Sequence, residues 1–365
     1  MTTDLFAPMT LRPGVIARNR IWLAPLTNKQ SHPDGTLSDA ELGFLAARAD
    51  GGFGVVETCA AYVAPDGKAW PGELGVHDDA MLPGLTRLAA RIHQGGALAS
   101  VQLFHGGLRA VSAVSGLPTW SASEYVAPEV DHAREATEAD VSHAISAFTL
   151  AAMRCARAGF DAVELHGAHG YLFSQFLSTV YNRRTDRWGG SLENRAHLLR
   201  QTVRAVRQHA PELALVVRLS PEDFGNARGL DLDESLQVAR WLAEDGIDAL
   251  HLSLWRVANN TTKRPDVHPT PLFREAVGDR VRIVVAGTMW THEEAEAQLA
   301  IGADAVALGR AAIANHDWPR RVREGQAIQR PPLTPDELAA EGLSPAFVAY
   351  MRAWKGFVRD DVPLD

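Results

Sequence analysis

Residues 159–167 read GFDAVELHG, and related stretches recur in the chain as GFGVVE from Gly52, GIDALHL from Gly246 and GADAVAL from Gly302. In each stretch a glycine follows a helix-like run and leads through a turn into a short strand of Val, Leu and Ala. This pattern is typical of the end of an αβ unit, where a helix returns the chain to a buried parallel strand. The four stretches therefore predict a chain built from repeated αβ units.

Four further apolar runs complete a set of eight short strands. They are RIWLAPL from Arg20, LASVQLF from Leu98, LALVVRLS from Leu213 and VRIVVAG from Val281. Amphipathic runs alternate with the strands and predict helices near 40–50, 83–94, 138–158, 192–209, 234–245 and 292–301. Eight such units favour an α/β fold with a single (β/α)8 TIM barrel over a doubly wound sheet, since no GxGxxG follows the first strand.

Two of the predicted helices begin with a capping signal. Ser38 is followed by Glu41, and Thr291 is followed by Glu294. In this arrangement each side chain satisfies a backbone N–H group of the first turn. We therefore expect a capping box at both helix starts.

The chain divides into a barrel and an extension. Residues 1–330 contain all eight strands and form the predicted barrel domain. One connection within it, residues 105–137, is long, rich in Gly, Pro and Ser, and is expected to cover the barrel mouth as a lid. The run RPPLTPDEL interrupts the αβ pattern, so residues 331–365 are expected to pack on the barrel or on a neighbouring subunit of a possible homo-oligomer.

Composition excludes several classes of function. The formal net charge of −8, with arginines scattered among acids, argues against nucleic acid or an anionic membrane as a partner. The two cysteines, Cys59 and Cys155, form no CxxC pair, which argues against a disulfide framework, an iron–sulfur cluster or a cysteine zinc site. We expect a soluble, cytoplasmic protein, because the sequence shows neither a signal peptide nor a membrane span.

The chemistry of a TIM barrel lies at the carboxyl ends of its strands, so the residues there are the candidates. Gly287 follows strand seven, and Gly309 with Arg310 follows strand eight. Glycines there let backbone N–H groups approach a phosphate, and the arginine neutralises its charge. Arg218 lies within an apolar strand and needs either an internal ion pair or a ligand.

The order of several longer motifs resembles the old yellow enzyme family of FMN-dependent ene-reductases. The resemblance covers residues 5–318 and rests on LFAPMTL, NRIWLAPLT, VQLFHGG, AGFDAVELHGAHGYLFSQFLS, NRRTDRWGGSLENR, VRLSP, VAG and ALGRAAIAN. It implies an NAD(P)H-dependent flavin oxidoreductase with noncovalent FMN across the barrel mouth. The block from Asp186 to Arg195 is expected to be structural, with Gly189 and Gly190 in a turn and Ser191 capping the next helix.

The resemblance also implies which residues contact the cofactor. Pro25, Thr27 and Ala60 match positions beside the isoalloxazine. Gln102 matches the side chain that pairs with the pyrimidine edge, and Arg218 matches the cation near N1 and O2, where it stabilises the reduced flavin. The phosphate grip corresponds to Gly287, Gly309 and Arg310.

The cluster HGAHGY after strand four is the expected catalytic centre. His166 and His169 can both donate to one carbonyl, nitro or phenolate oxygen and so stabilise an enolate. Tyr171 is the expected proton donor after hydride transfer from flavin N5 to enones, enals, maleimides or nitroalkenes. Lys29 and Trp255 depart from the family pattern and are expected to shape the substrate pocket.

Other interpretations of the sequence remain open. The HxxH spacing permits a metal site, but it needs a third ligand, and Glu164 lies within the strand instead. The histidines could simply cap a turn, and the barrel could belong to a flavin-binding sensor that does not turn over. An aldolase-type barrel needs a Schiff-base lysine at a strand end, and none of the eight ends clearly offers one.

Overall fold

The computed structural model describes residues 4–224 and 228–360 of the 365-residue chain. Eight parallel strands pair in succession, and the last pairs with the first through Val306 and Ile21, so the barrel closes. The predicted (β/α)8 barrel is confirmed. Barrel strands 1 to 8 are Ile21–Leu23, Val55–Tyr62, Leu98–Phe104, Ala162–Gly167, Ala214–Leu219, Ala249–Ser253, Arg282–Ala286 and Ala305–Leu308.

Helices alternate with the strands as predicted. The six predicted helices are Asp39–Asp50, Leu82–Gln94, Glu138–Ala158, Leu192–His209, Leu232–Glu244 and His292–Ala300. The pattern missed helix Pro269–Val277, whose two prolines resemble a loop but lie in the first turn, where a backbone N–H is not needed. Shorter helices are Ser112–Ser115, Leu172–Leu177, Arg310–Ala314, Trp318–Arg323, Pro335–Ala340 and Pro345–Met351, and 3₁₀ turns are Pro65–Gly67, Asp79–Met81 and Gly107–Arg109.

One of the two predicted capping boxes forms. Thr291 and Glu294 cap each other's backbone N–H groups as expected. Ser38 also accepts from the backbone N–H of Glu41, at 3.1 Å. The Glu41 carboxylate does not return that bond, because it is buried and bonds Asn28, Ser31 and Cys59 instead. The prediction of a full box at Ser38 was therefore wrong.

The two ends of the barrel differ in polarity. At the amino end, the interior is filled by apolar side chains such as Trp22, Val55 and Val216. The antiparallel strands Met9–Arg12 and Val15–Ala17 contribute Met9 and Leu11 to the same cluster. Because apolar packing closes the amino end, the buried polar side chains of the barrel can meet a ligand only from the carboxyl end.

The excursion at residues 105–137 is more regular than its composition suggests. Strands Trp120–Ser121, Tyr125–Ala127 and Val130–Glu135 form a small sheet, with the last of them in the middle. These strands are two to six residues long, so they were too short to show a pattern in the sequence. A separate short strand, Leu74–Gly75, pairs with the end of barrel strand 2.

The described part of the extension packs on its own barrel. The ring centroids of Phe347 and Phe44 lie 5.1 Å apart. The backbone N–H of Ser344 donates to the Gln30 side chain at 3.1 Å. Residues 361–365 lie outside the described residues, and contact with a neighbouring subunit stays a prediction. Across residues 4–224 and 228–360, the helices are too short or too polar to cross a membrane.

Candidate active site

A cavity of about 300 Å³ opens at the carboxyl end of the strands. Eight of the residues singled out in the sequence line it, although they come from six different strand ends. They are Pro25, Thr27, His169, Arg218, Trp255, Gly287, Gly309 and Arg310. Ala60, Gln102, His166 and Tyr171 are not among the residues that line the cavity, and Lys29 is exposed.

The HGAHGY segment folds into a compact cluster. His169 and Gly170 both have positive φ angles, 62° and 73°, so the chain turns back on itself directly after strand 4. The turn brings the ring centroids of His166 and His169 to 4.9 Å and those of His166 and Tyr171 to 5.0 Å. The turn therefore places the three rings side by side.

Both imidazoles are held in the neutral form. Burial is the largest cause that lowers the pKa of His166 and of His169 well below the ordinary value. The positive charge of Arg218 lowers both further. A neutral imidazole carries one N–H donor, so each ring can still donate one hydrogen bond. Nε2 of His169 lies 2.6 Å from the Ser253 hydroxyl, a partner that the sequence did not suggest.

Tyr171 is enclosed by an aromatic ring and a cation. Its ring meets Phe104 edge-on at 4.5 Å, and the guanidinium of Arg109 lies 4.5 Å from its centroid. Arg109 also donates to the backbone carbonyl of His169 at 2.7 Å, so it ties the excursion to the cluster. Burial raises the pKa of the Tyr171 phenol, which keeps its proton at neutral pH. Arg109 was missed because no local pattern connects it with a residue 60 positions away.

Arg218 is buried and incompletely bonded. Its side chain donates to Ser253 at 3.3 Å, but its Nε has no partner among the described residues. Burial lowers its pKa, while the charges of Glu164 and Glu57 partly compensate. The sequence left open whether Arg218 forms an ion pair or faces a ligand. Its place in the cavity wall and its unpartnered Nε favour a ligand that accepts a hydrogen bond.

Gln102 belongs to a polar network inside the barrel. Its side-chain nitrogen donates to Glu164 at 2.6 Å, and His251 lies 2.6 Å from the other oxygen of that carboxylate. Burial and the neighbouring Glu164 raise the pKa of Glu57 well above its ordinary value. Because the Gln102 nitrogen is engaged, its carbonyl oxygen is the atom left to meet a donor on a ligand.

The geometry does not favour a metal at the histidine pair. Glu164 bonds Gln102 and His251, so it is not directed at His166 and His169. In the described part of the chain, no group of three potential ligands includes either residue of the pair. Glu57, Glu164 and His251 do lie within 4.8 Å of one another, but their hydrogen bonds and the adjacent arginine account for that cluster.

The two glycines at the strand ends have different structural reasons. A Cβ on Gly287 would lie 2.7 Å from Val257, so close packing alone requires glycine there. A Cβ on Gly309 would meet only Leu26, at 3.5 Å, so its backbone faces open space in the cavity wall. Arg310 follows, with its guanidinium 5.7 Å from the Trp354 ring. This end of the cavity is accessible and positively charged.

The C-terminal extension completes the cavity wall. Tyr350, Met351 and Trp354 line it, and none of them was predicted as a site residue. Lys29 places its ammonium 5.1 Å from the Tyr350 ring, and Trp255 lies at the rim with 55% of its surface exposed. No sequence signal could have placed the extension here, because nothing in the run after residue 330 specifies where it docks.

The mouth of this barrel suits a planar redox cofactor with an anionic tail, which places the protein among the flavin-dependent oxidoreductases built on (β/α)8 barrels. A sequence profile identifies the family. The NADH:flavin oxidoreductase / NADH oxidase family matches residues 4–329, and the chain belongs to this family. The resemblance to old yellow enzymes is thus confirmed, together with FMN as cofactor and NAD(P)H as reductant.

Individual relatives agree with this assignment. A probable NADH-dependent flavin oxidoreductase of Bacillus subtilis (strain 168) is 39% identical, with 89% of each chain covered. An NADPH dehydrogenase of Halalkalibacterium halodurans is 34% identical over 88% of this chain and 94% of its own. Among solved structures, the old yellow enzyme homologue from Zymomonas mobilis is 27% identical with a TM-score of 0.83, covering 94% and 99% of the two chains. Morphinone reductase is 30% identical with a TM-score of 0.79, covering 92% of each.

The described residues fit FMN. The unpartnered Nε of buried Arg218 offers a donor for an acceptor atom of the ring system. The carbonyl oxygen of Gln102 is left for a ring N–H group, because its amide nitrogen is bound to Glu164. At the other end of the cavity, the open backbone of Gly309 and the cation of Arg310 fit a phosphate.

Proposed function

We propose that this protein reduces activated C=C bonds of enones, enals, maleimides or nitroalkenes, using NAD(P)H through FMN. The observation that carries the proposal is the cluster of His166, His169 and Tyr171 at the cavity. Its two neutral donors lie beside a protonated phenol, with ring centroids about 5 Å apart. This arrangement can bind one oxygen atom and deliver one proton, which are the two tasks of an ene-reductase site.

The proposed cofactor contacts divide by chemistry. Pro25, Thr27 and Ala60 would lie beside the ring system, with the Thr27 hydroxyl as a hydrogen-bond partner. Gln102 and Arg218 would hold its pyrimidine edge. The phosphate would be held by Gly287, Gly309 and Arg310. When bound there, FMN supplies the hydride that it has received from NAD(P)H.

The protein's own residues perform the remaining steps. His166 and His169 donate N–H groups to the carbonyl or nitro oxygen of the substrate and polarise the conjugated bond. Negative charge that develops on that oxygen is stabilised in a buried site, where donors act strongly because little water competes. Tyr171 then gives its phenolic proton to the α-carbon. Lys29 and Trp255, at the rim with Tyr350, would select the shape of the alkene.

The proposed function has a direct test. The purified protein is expected to release FMN and not FAD on denaturation, because the strand 7 and strand 8 ends form a single phosphate site. NAD(P)H should bleach its visible spectrum under anaerobic conditions, and cyclohexenone or a maleimide should restore it. Bleaching without recovery by any activated alkene would contradict the proposal and favour a flavin-binding sensor.

The pKa shifts predict how the alkene step depends on pH. Both histidine pKa values are lowered, so the rings stay neutral at and above about pH 6.5, the ordinary pKa. The Tyr171 pKa is raised, so the phenol keeps its proton up to at least about pH 10. The rate of cyclohexenone reduction in stopped flow should therefore be nearly constant between about pH 7 and pH 9. A loss of rate between pH 7 and pH 9 would show that one of these groups titrates there.

A further inference from the structure

A second cavity, of about 260 Å³, adjoins the active-site cavity on the side of Arg310. We call it the extension pocket, and its wall includes Trp290, Arg310, Arg330, Trp354, Lys355 and Phe357. Trp290, Arg310 and Trp354 line both cavities, so the two spaces share a wall. Arg330, Lys355 and Phe357 lie beyond residue 329, where the match to the family ends. The pocket is therefore formed jointly by the barrel and by residues that follow the family match.

The pocket concentrates positive charge that nothing in the described chain neutralises. Within residues 4–224 and 228–360, no carboxylate lies within 4.0 Å of the charged nitrogens of Arg310, Arg330 or Lys355. Other cations of the same region are paired, as Arg321 is with Asp317 and Arg352 with Asp360. Three cations without a carboxylate partner in the described part of the chain surround one small space, which favours an anionic ligand.

Aromatic faces accompany the cations. The guanidinium of Arg330 lies 5.7 Å from the Trp290 ring, as that of Arg310 does from Trp354. A guanidinium that lies near an indole ring keeps N–H groups available for paired hydrogen bonds to phosphate. Free indole surface can in turn stack on a nucleobase. The pocket thus combines the contacts that recognise phosphate with those that recognise adenine.

We propose that the extension pocket binds the pyrophosphate and adenosine end of NAD(P)H. The proposal rests on the proposed function in one respect, namely that the nicotinamide ring reaches the active-site cavity. The rest of the dinucleotide then has to leave that cavity, and its pyrophosphate carries negative charge. The extension pocket adjoins the cavity and offers Arg330 and Lys355, two cations that the FMN contacts do not use.

Binding of ADP to the FMN-loaded protein tests the pocket without catalysis. ADP contains the pyrophosphate and adenosine but no nicotinamide, so calorimetry should detect it in the wild type. Arg330→Ala and Lys355→Ala should each weaken ADP binding by about tenfold or more, since hydrogen bonds to charged groups are among the strong ones. Both residues are exposed, so the fold should survive. The matched control is Arg280→Ala, an exposed arginine outside both cavity walls, which should bind ADP as the wild type does.

Measurements of the reductive half-reaction test whether the pocket binds NADH or NADPH. The apparent Kd for NADH or NADPH should rise about tenfold in Arg330→Ala, whereas reduction by N-benzyl-1,4-dihydronicotinamide, which lacks phosphate and adenosine, should be unchanged. FMN retention should fall in Arg310→Ala but not in Arg330→Ala. Equal loss of FMN in both variants would assign the pocket to the cofactor phosphate and overturn the proposal. So would binding of inorganic phosphate as tight as that of ADP. If the wild-type protein binds ADP but reduces no activated alkene, the proposed function is contradicted and the assignment of the pocket stands.

Discussion

Replacing His166 and His169 together with alanine is expected to reduce the rate of enone reduction by about 10²-fold or more. The physical reason is that, in the proposed mechanism, both neutral rings donate to one substrate oxygen, and loss of a single such donor typically costs about 10²–10³-fold. Phenols, which offer an oxygen to the same donors, should lose their charge-transfer bands with the flavin. Reduction by NAD(P)H should also slow, because the nicotinamide amide would use the same donors. Stopped-flow kinetics of both half-reactions and phenol titrations measure these effects.

Control variants distinguish the loss of a hydrogen-bond donor from a general folding defect. His209→Ala removes an exposed imidazole at the end of helix Leu192–His209 and should behave as the wild type. His169→Asn keeps an N–H donor and should retain part of the rate that His169→Ala loses. Unchanged binding of enones and phenols in the double alanine variant would show that their oxygen atom binds elsewhere.

Tyr171→Phe is expected to slow cyclohexenone reduction by about 10²–10⁴-fold, the range for loss of general acid catalysis. Reduction by NAD(P)H should be largely unaffected, because that step needs no proton from the phenol. The ring remains, so its contacts with Phe104 and Arg109 should hold the cluster in place. Stopped-flow measurement of the two half-reactions separates the steps.

Nitroalkenes provide an internal control for the role of Tyr171. Their nitronate is stable enough to leave without a proton and to acquire one from water, so the Tyr171→Phe defect should be smaller with nitroalkenes than with cyclohexenone. An equal loss in both half-reactions, or no loss with cyclohexenone, would remove Tyr171 from the mechanism. Water or a residue of the excursion, such as Arg109, would then be the group to examine.

Local sequence patterns predicted much of the fold. Each barrel strand is a short apolar run, and four of the six predicted helices have an apolar stripe, so periodicity predicts them. The other two, Asp39–Asp50 and His292–Ala300, are weakly amphipathic and are marked instead by the capping residues Ser38 and Thr291. Helix Pro269–Val277 was missed because its prolines resemble a loop. Glu41 was misread because tertiary packing recruits its carboxylate to Asn28, Ser31 and Cys59, away from its own helix start.

Part of the candidate site could be predicted from the same strand pattern. Once the eight strands are known, barrel geometry places their carboxyl ends together, which is why His169, Arg218 and Gly309 meet at one cavity. The residues that the sequence did not suggest, Ser253 and Arg109, act through contacts with His169 from 84 and 60 positions away. Such pairings carry no local periodicity, so the chain alone does not reveal them.

The sequence by itself determined the number and order of the barrel strands, six of the helices between them and the residue types at the strand ends, because these depend on neighbours a few positions apart. Only the tertiary structure decided how those side chains are bonded and charged. Neutral histidines, an incompletely bonded Arg218 and the fixed orientation of Gln102 result from burial and from partners on other strands. The docking of the extension, with Tyr350 and Trp354 in the cavity wall, likewise depends on surfaces that exist only after the barrel has closed.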